Sequence, residues 1–100
     1  NSDPSWFGFL LTIRDGVPLT RRNLVIELEN RGIGTRLLFG GNLLRQPAFR
    51  DVVHRAPVPL KTTEKIMRDS FWIGVWPGID DVRRDYMAAT LNAIVREQLA

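Results

Sequence analysis

Apolar positions along the chain recur with two different periods, and the changes of period mark out the elements. From Trp6 to Arg14, Phe7, Phe9, Leu11 and Ile13 alternate with Trp6, Gly8, Leu10 and Thr12, which is the two-residue period of a strand. Both sets are largely apolar, so the pattern predicts a strand covered on both sides. Asp15-Gly16-Val17-Pro18-Leu19 reads as a turn. Thr20 then suits a helix N-cap, and Arg21 to Arg31 follows as a helix with Leu24, Val25 and Leu28 on its inner stripe. Gly32 falls where a left-handed residue ends a helix, and Ile33 falls where such an ending folds an apolar side chain back onto Leu28. Thr35, Leu37 and Phe39 alternate with Arg36 and Leu38 as a second strand, stopped by the Gly40-Gly41 pair.

The second half repeats this grammar. Pro47 to Asp51 predicts a helical turn, and Val52 to Leu60, with Pro57 and Pro59, an extended connection. Thr62 or Thr63 is expected to cap a helix running to about Asp69, with Ile66 and Met67 inward. Phe71 to Trp76 is a third strand, with Phe71, Ile73 and Val75 on one face and Trp72, Gly74 and Trp76 on the other; Pro77-Gly78 ends it. Asp80 is placed to cap a last helix to about Gln98, and Asp81 favours the positive end of its dipole. Its stripe of Val82, Tyr86, Met87, Leu91, Ile94, Val95 and Leu99 predicts core. The fold expected is α+β: one domain over residues 1–100, a small three-stranded sheet with helices mainly on one face. Trp6, Leu10, Trp72 and Trp76 would then leave the other face apolar, as interfaces are.

Composition narrows the chemistry. The chain has 100 residues, 44% hydrophobic and 25% charged, which is ordinary for a folded domain with a modest core. It has no cysteine, which excludes disulfides, thiolate metal sites and cysteine nucleophiles, and fits a cytosolic protein. His54 is the one histidine, too few for a histidine-cluster metal site. No apolar run approaches the ~20 residues of a membrane helix. The start at Asn1-Ser2-Asp3-Pro4, without methionine, leads us to expect a piece of something longer. Net charge is +3, carried mostly by arginines scattered beside acids. A nucleic-acid binder gathers such charge on one face, so no nucleic-acid partner is expected.

No self-contained catalytic centre is visible. A serine triad lacks a nucleophile elbow beside His54. Asp80-Asp81 is more simply a helix start, and Lys61 and Lys65 are the only candidate Schiff-base amines, both at the start of a polar helix. Gly40-Gly41 lacks the third glycine and the lysine of a phosphate loop. What stands out is the connection after the second strand, where Asn42, Arg45 and Gln46 place three hydrogen-bonding side chains together beside Arg36 and Phe39. Water alone could face such a loop. Alternatively, an arginine fork there could grip phosphate or carboxylate, as one half of a pocket whose chemistry lies elsewhere.

Several stretches together carry a resemblance: Trp6-Phe7-Gly8-Phe9, Ile33-Gly34-Thr35-Arg36-Leu37-Leu38-Phe39-Gly40-Gly41-Asn42-Leu43, Arg45-Gln46-Pro47-Ala48, and Phe71-Trp72-Ile73-Gly74-Val75 followed by Pro77-Gly78. They resemble the C-terminal small domain of the sugar-nucleotide aminotransferase and dehydratase superfamily of the DegT/DnrJ/StrS type, which are fold type I pyridoxal enzymes. The branch most resembled is the CDP-4-keto-6-deoxyglucose 3-dehydrase of lipopolysaccharide biosynthesis. The resemblance implies a parent that removes a sugar 3-hydroxyl on the route to O-antigen deoxysugars, using pyridoxamine or pyridoxal phosphate and, in the dehydrase proper, an iron–sulfur cluster with an electron-donating reductase. It also implies that the cofactor site, catalytic base and cluster belong to an N-terminal large domain, in a cytoplasmic homodimer. This chain would supply no catalytic residue and no cofactor contact of its own. Its loop after the second strand would lie at the substrate mouth. Arg36, Phe39, Asn42, Arg45 and Gln46 would then be nucleotide-sugar contacts, and the isolated piece would self-associate through its uncovered face. Aminotransferase relatives often carry a His-Tyr pair where this chain has Leu38-Phe39-Gly40-Gly41-Asn42, and this departure favours the dehydrase branch over an aminotransferase. Two readings outside the family, an RNA-binding module and a small-molecule sensor, also suit alternating strands and helices. The arginine scatter and the missing RNP-type motif count against the first.

Overall fold

A computed structural model describes residues 2–100; of the polar lead-in read at Asn1 to Ser5, Asn1 lies outside the described residues. Three strands form one antiparallel sheet: β1 (Phe9–Thr12), β2 (Thr35–Leu37) and β3 (Ser70–Ile73), in the order β1-β3-β2. Leu11 and Leu37 both stand opposite Phe71, and Leu10 and Arg36 both stand opposite Trp72. Three helices accompany the sheet: α1 (Arg21–Asn30), α2 (Lys61–Asp69) and α3 (Asp81–Leu99). This is the α+β class, with the last strand of the chain at the centre of the sheet.

The ends of α1 form as the sequence dictates. Thr20 Oγ1 accepts the Asn23 amide, which satisfies an otherwise orphaned donor of the first turn. At the other end Gly32 sits at φ 76°, its N–H reaching the Glu29 carbonyl while the Ile33 N–H reaches that of Leu28. These two bonds and the burial of Leu28 and Ile33 together make a Schellman ending. Asp80 likewise caps α3, accepting from the Arg83 amide.

Leu24 and Leu28 of α1, Ile33, Phe71 of β3 and Ile94 of α3 are the buried apolar residues, with Leu11, Ile73, Met87, Leu91 and Val95 packed around them. One face of the sheet is therefore roofed by α1 and α3. Phe71, on the central strand, and Ile94 are at 0% exposure, the most completely enclosed apolar side chains of this cluster.

Four expectations need correction. All three strands are shorter than the alternating patterns, because pairing runs only from Phe9 to Thr12 in the first, stops at Leu37 in the second and stops at Ile73 in the third. The first strand is not covered on both sides in this chain: Phe7, Phe9 and Leu10 are exposed. Neither Thr62 nor Thr63 caps α2, which starts earlier, at Lys61, with Leu60 at the cap position and no side-chain cap bond. Val82, Tyr86 and Leu99 lie outside the core, since α3 runs past the small sheet at both ends; Tyr86 instead donates its hydroxyl hydrogen to the Arg31 carbonyl at 2.8 Å. The radius of gyration, 16.2 Å, exceeds the roughly 13 Å of a compact 100-residue domain, as expected when so few side chains are fully enclosed.

If Phe71 organises the core, Phe71→Ala costs about 3–5 kcal/mol in urea unfolding. Phe9→Ala, on the same face but largely exposed, costs under ~1 kcal/mol. Equal losses at the two positions would place the core elsewhere.

Candidate functional site

After β2 the chain turns sharply. Phe39 takes φ 48°, a left-handed conformation that costs a residue with a side chain about 1–2 kcal/mol. The turn is closed by the Phe39 amide on the Leu37 carbonyl and by the Gly41 amide on that of Leu38. Gly41 follows at φ 62° with the Met67 side chain of α2 pressed where a Cβ would lie, so glycine is needed there both for backbone angle and for space. Two 3-10 turns, Leu43–Arg45 and Pro47–Phe49, then carry the chain away; the second was legible as the turn at Pro47.

The five sequence-derived residues fall into three groups. Asn42 is 3% exposed. Its amide nitrogen donates to Glu64 Oε1 at 2.6 Å, and its Oδ1 accepts the Leu44 amide, which caps the first 3-10 turn. Arg45 donates through Nε to the same Glu64 oxygen at 2.7 Å, so one carboxylate of α2 anchors two loop residues. Gln46 turns back on the loop, donating to the Gly40 carbonyl at 2.6 Å. Arg36 and Phe39 form the third group, beside Trp72 on the sheet face away from α1 and α3. The structure thus joins Asn42 with Arg45, and Arg36 with Phe39, on two neighbouring surfaces.

Glu64 had no local signature, being 22 residues from Asn42 in sequence, and only the fold reveals it. Its carboxyl is held below the ordinary glutamate range, first by the hydrogen bond from Arg45 and then by that from Asn42. These groups border a cleft of about 750 Å³, with Pro57, Pro59 and Lys61 on its far wall.

The third group is aromatic. Phe7, Phe39 and Trp72 make a triangle with ring centroids 5.8–6.3 Å apart, Trp72 meeting both phenylalanines edge-on. Gly8 permits this, because a Cβ there would stand 2.9 Å from the indole. Phe7 and Phe39 are 73% and 77% exposed, large values for apolar rings in a cluster. Trp72 Nε1 is buried without a hydrogen-bond partner among the described residues.

Elsewhere the titratable groups serve the scaffold. Lys65 Nζ contacts Asp15, Asp69 and the Ile13 carbonyl, and its pKa is raised chiefly by the Asp15 bond. An ammonium stabilised in this way is the opposite of a Schiff-base amine, which needs its proton removed. His54 Nδ1 contacts the Val52 carbonyl in an exposed connection. Glu29 accepts from both the amide and hydroxyl of Thr35, tying α1 to β2, and these bonds lower its pKa. No group of His, Asp and Glu able to hold a metal occurs among the described residues, and no described helix is long and apolar enough to cross a membrane.

The described residues thus form a small α+β domain with a loop braced by Glu64 and an aromatic face around Trp72. Residues 1–92 match the DegT/DnrJ/EryC1/StrS aminotransferase family, and the chain belongs to that family. It is 47% identical over 95 residues to the dTDP-4-dehydro-2,6-dideoxy-D-glucose 3-dehydratase of Saccharopolyspora spinosa, covering 95% of this chain and 21% of that protein. It is also 47% identical over 88 residues to the lipopolysaccharide biosynthesis protein RfbH of Salmonella typhimurium, covering 88% of this chain and 20% of that one. A shorter match, 42% over 43 residues, is to the GDP-4-keto-6-deoxy-D-mannose 3-dehydratase of Yersinia pseudotuberculosis, covering 43% of this chain and 11% of the relative. The chain spans about a fifth of the length of the first two relatives.

Two outcomes check the loop. Gly41→Ala, which must displace Met67 and strain the backbone, lowers stability by about 1–3 kcal/mol in urea unfolding, whereas Gly34→Ala, with nothing near its Cβ, leaves it within about 1 kcal/mol. A depressed carboxylate stabilises the fold fully above the unfolded glutamate value of about 4.3 and loses that contribution as pH falls through the lower folded value. The Leu44 amide signal should therefore titrate with a midpoint below that value, and Asn42→Ala should raise the midpoint; an unshifted midpoint would mean Glu64 does not hold the loop.

Proposed function

We propose that this chain is the C-terminal small domain of a pyridoxamine-phosphate-dependent nucleotide-sugar 3-dehydratase in deoxysugar biosynthesis, of the kind that supplies lipopolysaccharide O-antigen. The observation carrying the reading is the 47% identity to a protein named as a 3-dehydratase over 95% of this chain. The geometry supports it: β2 exposes Arg36, the loop after it, braced by Glu64, exposes Phe39 and Arg45, and Asn42 and Gln46 fix the course of that loop. These five residues are the substrate side of the pocket, with the arginines on phosphate or sugar oxygens.

Lys65 is committed as an ion-paired ammonium and offers no free amine to the family's phosphopyridine cofactor. A cluster held by thiolates finds no cysteine. Both belong, on this reading, to a larger N-terminal part that the small domain covers, in a cytoplasmic homodimer. The many exposed apolar side chains and the open shape are what a domain shows when another surface completes it.

The test uses the full-length protein with pyridoxamine phosphate, an electron donor and a nucleotide-linked 4-keto-6-deoxyhexose. The expected product lacks the oxygen at C3. Transfer of an amino group from glutamate would instead assign it to the aminotransferase branch. The isolated chain should be colourless, inactive and self-associated in light scattering; turnover by the chain alone would overturn the reading.

A further inference from the structure

Arg36 occupies an unusual position for a charge. It stands opposite Trp72 on the open face of the sheet, in a row whose third member is Leu10. Among the described residues it makes no salt bridge. It shares a cleft of about 400 Å³ with Phe7 and Trp72, lined also by Gly8, by Gly34, Thr35 and Gly74 at the strand ends, and by Glu29, whose carboxylate is tied to Thr35. Phe7, on the wall of this cleft, stands beside Phe39, the two rings tilted 33° from each other and exposed, with Trp72 meeting both edge-on. Holding Phe39 there requires a left-handed backbone, so the loop keeps a strained conformation whose visible result is an aromatic ring turned to solvent.

An arginine beside two exposed rings fits a ligand with a flat π-face at one end and oxyanions at the other. It fits a purely apolar protein surface badly, because covering Arg36 with one would bury an unpaired charge. The geometry points to Phe7 and Phe39 as the shelf on which the base of the nucleotide sugar stacks, with Arg36 on its diphosphate and Trp72 setting the angle of the shelf. This rests on the nucleotide-sugar reading above and assigns one end of that substrate to this face. The sugar end is left to the Arg45 side of the loop.

The experiment measures, by calorimetry on the cofactor-loaded full-length protein, binding of the sugar-free diphosphates CDP, dTDP, GDP and UDP, and of inorganic pyrophosphate. For the diphosphate bound most tightly, Phe7→Ala and Phe39→Ala should each weaken binding about 5- to 100-fold, the range of lost base–aromatic stacking. Phe39→Tyr, which keeps a ring on the same backbone, should restore it. Arg36→Gln should weaken both the nucleotide and pyrophosphate, whereas the phenylalanine variants should leave pyrophosphate unchanged. Nucleotide affinity equal in all variants, with normal deoxygenation, overturns the shelf and leaves the function standing. Equal loss of nucleotide and pyrophosphate in every variant also overturns it, because that pattern reports a disturbed face and not stacking. Failure of the unaltered protein to bind any of the four nucleotides and to turn over any nucleotide sugar overturns both.

Discussion

β3 is hydrogen-bonded on both sides, and its two middle residues point opposite ways. Phe71 faces α1 and α3 and is fully enclosed; Trp72 faces the other side and carries Phe7 and Phe39. A slip of one residue in this strand would exchange them, putting an indole into the packed layer and a phenylalanine under the shelf. The register is pinned from several directions: Leu11 and Leu37 flank Phe71, the Thr12 and Ser70 hydroxyls meet at 2.8 Å, and the Ile13 amide reaches the Asp69 carbonyl just before the strand. Core and open face are thus two results of one alignment.

What could be read from the sequence was what neighbours decide. Thr20, Gly32 with Ile33, and Asp80 do locally what their positions announce, because caps are made within a few residues. The apolar identity of the core followed from periodicity at Leu24, Leu28, Phe71 and Ile94. Strand lengths did not, since pairing depends on where the partner stops, and the alternation at Val75 and Trp76 continues after the ladder has ended. The stripe on α3 also overstated its contact, because a helix of 19 residues outruns a four-residue strand. At the loop, the sequence identified the polar residues together but not their division of labour. That depends on Glu64, Met67 and Trp72, which chain order places far away and the fold brings near.

The family relation and the physical picture meet in the imbalance between the two sides of the sheet. One side is closed by helices; the other carries aromatic rings and a cation to the surface. A self-sufficient domain of this length would ordinarily spend its aromatic area on its own interior. Here much of that area faces outward, alongside a loop whose internal bonds keep it in place before anything binds.

One feature of the chain path has a mechanical consequence. α2 passes into β3 with no connecting residue, Asp69 closing the helix and Ser70 opening the strand. Glu64, which grips the loop, and Trp72, which underlies the rings, therefore lie on one uninterrupted helix-to-strand segment, and Ser70 at its joint is fully enclosed. Any shift of this segment therefore carries the anchor of the loop and the support of the rings together.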